Sequence, residues 1–100
     1  MDQKYYIVKE PGEELHQVLV ADTENGKVKA MSKVQPDKSI KYKVFMESIN
    51  NKTEVLAEGI GSNEEYQRVI NDLEVKLLSP HGGEWQEVQP TVIENKPECQ

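Results

Sequence analysis

The residues Ser62-Asn63-Glu64-Glu65 form the stretch that decides the fold of this chain. The hydroxyl of Ser62 is placed to accept a hydrogen bond from the backbone N–H of Glu65, and the Glu65 side chain can reach back to Ser62, which is the pattern of a capped helix start. This spacing predicts one amphipathic helix, whose apolar face needs a sheet to cover. The apolar residues of that face are Tyr66, Val69, Ile70, Leu73 and Leu77.

Upstream of this helix, apolar and polar residues alternate, which predicts β-strands. We expect strands at residues 5–9, 15–23, 27–34, 40–48 and 53–60. The pair Asn25-Gly26 predicts a two-residue hairpin loop, which would place Glu24 opposite Lys27 and Asp22 opposite Lys29. The expected fold class is therefore α+β, with an antiparallel four- to five-stranded meander packed against one C-terminal amphipathic helix, followed by an acidic tail.

The end of the helix divides the chain into a domain and a tail. Ser79-Pro80 stops the helix near Leu78, and Gly82-Gly83 supplies an exit. We expect residues 1–83 to form a single α+β domain and residues 84–100 to form an acidic C-terminal segment that is partly docked. Residues 84–93 should dock, because Trp85 is costly to leave in water, while residues 94–100 should fray.

The net charge of −6 lies entirely in the second half of the chain. Residues 1–50 contain eight lysines and eight acidic residues, whereas residues 51–100 contain four basic and ten acidic residues. Such a field repels nucleic-acid backbones and favours basic partners, although in most proteins it serves solubility. We therefore expect a protein partner rather than a nucleic acid.

The sequence also predicts the compartment. No apolar run reaches the length of a membrane span, and the first residues lack the apolar core of a signal peptide. The single cysteine, Cys99, has no internal partner for a disulfide, which agrees with a reducing environment. We expect a cytoplasmic protein that does not engage a membrane.

The sequence contains no set of residues spaced for catalysis or for cofactor binding. The soft metal ligands His16, His81 and Cys99 are far apart, whereas zinc sites in small domains use closely spaced pairs. Adjacent acids such as Glu64 and Glu65 do not converge on one bond, and no glycine-rich loop has phosphate-binding spacing. We expect no enzyme activity, no cofactor and no metal.

Two sets of residues are candidates for binding. An acidic segment with one Trp and scattered β-branched residues can add to a partner's sheet or place an aromatic anchor in a pocket. The candidate partner contact therefore consists of Trp85, Val88, Val92 and Ile93. Alternating lysines with a nearby aromatic ring form a candidate anion face, although cross-strand carboxylates favour an ordinary solvated surface. This face consists of Lys27, Lys29, Lys41, Lys43 and Phe45.

These observations predict a small intracellular accessory protein that acts by protein-protein binding. Its partner would be another protein or a second copy of the chain in a homodimer, since an open meander has two sheet edges. One alternative is single-strand nucleic-acid binding through the Lys and aromatic face. Another is an acidic inhibitor that occupies the basic groove of a nucleic-acid enzyme.

Overall fold

The computed structural model describes residues 5–94 and has the predicted α+β architecture. The strands are β1 (Tyr6–Lys9), β2 (Glu14–Thr23), β3 (Gly26–Val34), β4 (Ile40–Ser48), β5 (Thr53–Gly61), β6 (Gln86–Glu87) and β7 (Thr91–Glu94). Helix α1 (Asn63–Leu73) continues as a π-helical turn at Glu74–Leu78 and a 3-10 turn at Ser79–His81. One antiparallel sheet has the order β5-β4-β3-β2-β6, and β1 and β7 form a separate parallel pair.

The β2–β3 hairpin forms where the sequence predicts it, but its loop lies one residue earlier. Thr23 pairs with Gly26 and Asp22 with Lys27, so the predicted pairing of Asp22 with Lys29 is wrong. Gly26 explains the shift, because it is the first residue of β3 and has a φ of +148°. A Cβ at Gly26 would collide with the backbone carbonyl of Glu47 in β4. The glycine therefore permits a close approach to β4 rather than forming the loop.

Helix α1 covers one face of the sheet, as the apolar pattern predicts. The N–H of Glu65 donates to the hydroxyl of Ser62 at 3.1 Å, which is the expected cap. Tyr66 is fully buried against the sheet, together with Val28 and Val44. Because every second residue of a strand faces the same way, β3 and β4 each contribute one apolar row to this core.

The π-helical turn changes which leucine enters the core. In a regular helix Leu77 would follow Leu73 on the buried face, four residues later. Hydrogen bonds in a π-helix span five residues, so the corresponding position becomes Leu78. Leu78 is fully buried, whereas Leu77 is only partly buried. Gly82, at a φ of +76°, then ends the turn, as expected for the helix exit.

The other face of the sheet, which we call the outer face, is partly covered by β1 and β7. Val18 and Val20 of β2 point to this face and are nevertheless buried, as is Ile7 of β1. β1 lies over β3. The Tyr5 ring, next to β1, is 5.0 Å from Nζ of Lys29, and the carbonyl of Val8 accepts a hydrogen bond from Lys33. The strand that the sequence placed at residues 5–9 therefore belongs to a second layer rather than to the meander.

Residues 84–94 pass around the β2 edge of the sheet from the helix side to the outer face. On the helix side, the indole N–H of Trp85 donates to the carbonyl of Ile70 at 3.0 Å. At the edge, Gln86–Glu87 pairs with β2, and the N–H of Val88 donates to the carbonyl of Val18 at 3.1 Å. On the outer face, Thr91–Glu94 pairs with β1. The hydrogen bond of Trp85 thus connects helix α1 with residues 84–94.

We expect Leu78→Ala to destabilise the fold more than Leu77→Ala does. The first substitution empties a fully buried site and should lower the free energy of unfolding by about 3 kcal/mol, against about 1 kcal/mol for the second. Urea unfolding followed by the fluorescence of Trp85, the single tryptophan, measures both. Equal losses for the two variants would contradict the assignment of the π-helical turn.

Candidate functional site

A buried carboxylate fixes the position of β1 on the outer face. Glu13 is only 4% exposed and lies in the turn between β1 and β2. Its carboxylate accepts from the N–H of Glu10 at 3.1 Å and lies 3.5 Å from Nζ of Lys33 and 3.8 Å from Nζ of Lys41. Nζ of Lys33 also donates to the carbonyl of Val8 at 2.5 Å. One carboxylate thus connects the β1–β2 turn with β3 and β4.

The charge state of Glu13 follows from these contacts. Burial by itself raises the pKa of Glu13, but the hydrogen bond from Glu10 and the positive charges of Lys33 and Lys41 outweigh it. The pKa of Glu13 therefore lies below its ordinary value of 4.5. The carboxylate is ionised at neutral pH and holds both ammonium groups near β1.

β1 covers only one half of the outer face, and a groove remains beside it. This groove has a volume of about 550 Å³ and lies over β3, β4 and β5. Three apolar side chains on its walls stay well exposed, namely Tyr6 at 55%, Val8 at 53% and Ile60 at 60%. We call this feature the outer groove, and its principal lining residues are Tyr6, Val8, Met31, Lys41, Lys43 and Ile60.

The outer groove is basic although the chain is acidic. Lys33, Lys41 and Lys43 line it, and they are opposed by Glu58, which lies directly across from Lys43, and by the buried Glu13. Three ammonium groups therefore face two carboxylates, and one of these, Glu13, already contacts Lys33 and Lys41. An exposed apolar patch with a charged rim is typical of a surface that contacts another protein.

The five residues of the predicted anion face all lie on the outer face, but they do not all line one groove. Nζ of Lys29 is 2.6 Å from Glu47, and Nζ of Lys27 is 3.9 Å from Asp22. Phe45, in β4, is partly buried. Only Lys41 and Lys43 belong to the outer groove.

The four residues of the predicted partner contact are separated by the path of the tail. Trp85 packs against the core on the helix side, whereas Val92 lies on the outer face and pairs with Ile7. Val88 is held at the β2 edge. The backbone of Ile93 pairs with Val8, but its side chain lies outside the described part of the structure. The three described side chains of the set therefore do not lie on one face of the sheet.

Of the three soft metal ligands in the sequence, only His16 has a side chain within the described part of the structure. His16 packs edge-on against the ring of Tyr66, with 5.4 Å between ring centroids. Cys99 and the side chain of His81 lie outside the described residues. Within residues 5–94, no group of three or more His, Cys, Asp or Glu side chains is placed to hold a metal ion.

The polar groups of the core are engaged in structural hydrogen bonds. The hydroxyl of Tyr66 donates to the side-chain Oε1 of Gln17 at 3.1 Å. The hydroxyl of Ser32 donates to the backbone carbonyl of Gln17, also at 3.1 Å. Burial raises the pKa of Tyr66 above its ordinary value of 10.0, so this hydroxyl stays protonated at neutral pH. In the part of the chain that the structure describes, no buried side-chain polar atom lacks a hydrogen-bond partner. No helix there is long and apolar enough to cross a membrane.

Sequence reasoning missed the apolar half of the outer groove. The signal was present in β2, where Val18-Leu19-Val20-Ala21 is apolar at consecutive positions. Such a run places apolar side chains on both faces of a strand, so both faces need cover. The second layer could have been inferred from this run, but the choice of β1 and β7 as its strands could not.

Comparisons with known proteins give no further guidance to this site. No protein-family model, no curated protein and no solved structure matches the chain at a significant level.

We expect Glu13→Gln to lower the free energy of unfolding by about 1–3 kcal/mol at neutral pH, because it removes a buried charge from two ammonium groups. The pKa of Glu13 is lower in the folded state, so this stabilisation is present above about pH 4.5 and is lost as pH falls through the folded pKa. Urea unfolding followed by Trp85 fluorescence should show a gap between wild type and variant that closes towards acid.

Glu14→Gln provides the matched control, since Glu14 is the adjacent, exposed acid. It should change the free energy of unfolding by less than about 0.5 kcal/mol. If the gap for Glu13→Gln stayed the same down to about pH 3, the ionised carboxylate would not be the source of the stability.

Proposed function

We propose that this chain acts by binding another protein and that the outer groove is its contact surface. The observation that carries the proposal is the incomplete cover of the outer face. Over β2, the valines at positions 18 and 20 are buried, whereas Tyr6, Val8 and Ile60 stay exposed around one groove. Apolar residues that are exposed together, rather than singly, favour a binding role. The expectation of a cytoplasmic accessory protein, which rests on the single Cys99, remains part of this proposal.

The two alternative functions have less support from the geometry. Binding of a single nucleic-acid strand needs a face of unpaired cations, yet carboxylates lie near Lys27 and Lys29. An acidic inhibitor would use exposed acids such as Glu64 and Asp72 of α1. Neither function uses the apolar walls of the outer groove. Protein binding accounts for both the apolar and the charged residues there.

We expect Ile60→Glu to abolish recovery of the partner when the immobilised chain is used to capture proteins from its own cells. A carboxylate at this position places a charge in the apolar wall of the groove, which must lose water on binding. Quantitative mass spectrometry should show at least a tenfold loss of the specific partner, which corresponds to about 1.4 kcal/mol.

The matched control is Val75→Glu. Val75 is 61% exposed, against 60% for Ile60, but it lies in the π-helical turn, away from the outer groove. Both variants should keep the wild-type circular dichroism spectrum. Capture of the same proteins by wild type, Ile60→Glu and Val75→Glu alike would rule out the outer groove as the contact surface.

A further inference from the structure

We propose that the outer groove takes an extended, acidic segment of the partner protein, which adds as a third strand to the unpaired edge of β1. This inference rests on the proposed function and specifies the chemistry of its partner. Every second side chain of the segment would face the sheet, and these side chains would include both carboxylate and apolar groups. It would complete the second layer, which at present covers only β2 and β3.

β1 has one paired edge and one open edge. The N–H of Thr91 donates to the carbonyl of Tyr5 at 2.7 Å, so Tyr5 directs its carbonyl towards β7. Backbone groups alternate along a strand, which turns those of Tyr6 and Val8 to the opposite edge. The carbonyl of Val8 shows this direction, since it accepts from the Lys33 side chain and not from a strand. Within residues 5–94, β7 is the only strand that pairs with β1.

The open edge of β1 lies over the half of the sheet that has no second layer. β7 follows the segment that pairs with β2, and it lies on the β2 side of β1. The opposite side of β1 therefore faces β4 and β5, where Lys41, Lys43 and Ile60 line the groove. A strand placed there would have β1 at its side and the outer face beneath it.

The edges of the five-stranded sheet are less suited to strand addition. β6 has two residues, which is too short to template a strand. β5 contains an irregularity opposite Val44 and Phe45, and it carries Glu54 and Glu58 as exposed charges. Bulges, charges and short length are the features that keep sheet edges from pairing. β5 also exposes Val55 and Ile60, but β1 presents Tyr6 and Val8 beside an open edge that carries no acidic residue.

The charge of the groove selects an acidic occupant. Lys43 is exposed and the side chain of Lys41 is 48% exposed, so both can meet carboxylates of an added strand. An N–H of that strand would replace Lys33 at the Val8 carbonyl, while Lys33 keeps its contact with Glu13. Met31 and Ile60 offer apolar contacts between the charges. Main-chain hydrogen bonds would supply affinity, and these side chains would supply specificity.

A random dodecapeptide library displayed on phage, selected against the full chain, tests the chemistry of the occupant. The selected peptides should carry Asp or Glu together with β-branched residues at positions two apart, which share one face of a strand. Titration calorimetry of a synthetic selected peptide should show that Lys43→Glu weakens binding about tenfold or more. Lys52→Glu, in the exposed turn before β5, should leave binding within about twofold. Selected peptides without acidic residues, or equal effects of the two variants, would overturn the proposal.

Backbone methylation of the same synthetic peptide tests strand addition directly. N-methyl groups on every second residue, in the register that faces β1, remove the donors and should weaken binding about tenfold or more. The same groups in the other register should have less than about a twofold effect. An equal loss in both registers would overturn strand addition. A dimer of the chain that Ile60→Glu dissociates in sedimentation would assign the groove to a second copy and overturn it too.

These outcomes separate the inference from the proposed function. If Ile60→Glu abolishes partner capture but the methylated peptides show no dependence on register, protein binding stands and strand addition fails. If partner capture does not depend on the outer groove, the proposed function fails, and this inference fails with it.

Discussion

A five-stranded sheet has two faces to protect from water, and residues 5–94 contain a single α-helix with which to cover them. α1 covers the face that carries Val28 and Val44. The outer face has to be covered by strands, because β2 carries Val18 and Val20 there. The second layer has only the two strands β1 and β7 within the described residues, so it is narrow, and β1 lies over β3. The outer groove is the direct consequence of this incomplete cover.

A short strand that lies across a sheet face, without a ladder of hydrogen bonds to it, needs side-chain contacts to hold its position. Lys33 provides one by donating to the Val8 carbonyl, and Glu13 holds Lys33 and Lys41 in turn. The same ammonium groups therefore position β1 and form the basic side of the groove. Glu13 is ionised at neutral pH. The Lys33 ammonium group therefore keeps a negatively charged partner even when it releases the Val8 carbonyl. Stability of the second layer and availability of its open edge thus depend on one buried carboxylate.

Local signals predicted the elements well, and non-local contacts caused the departures in the sheet. The alternation from Ile40 to Ser48 and the cap at Ser62 correspond to β4 and α1, because period and capping act within a few residues. The predicted register of the hairpin was wrong at Gly26. This residue is a glycine because its backbone lies close to Glu47 in another strand. The parallel pairing of β1 with β7 joins residues about 85 positions apart, and no local pattern encodes such a pair. The placement of the candidate binding residues is non-local as well, since Trp85 and Val92 are near in sequence but on opposite sides of the sheet.

The acidic net charge and the basic groove act over different distances. At physiological ionic strength the field of exposed charges is screened beyond about 8 Å, so the charge of −6 has little effect on a segment already in the groove. At contact, Lys41 and Lys43 are partly desolvated and their attraction for carboxylates is stronger. The same net charge disfavours the approach of long polyanions, whose charge extends well past the groove. On the proposed function, a short acidic segment would place all its charge within reach of the lysines, whereas most of the charge of a nucleic acid would lie outside the groove.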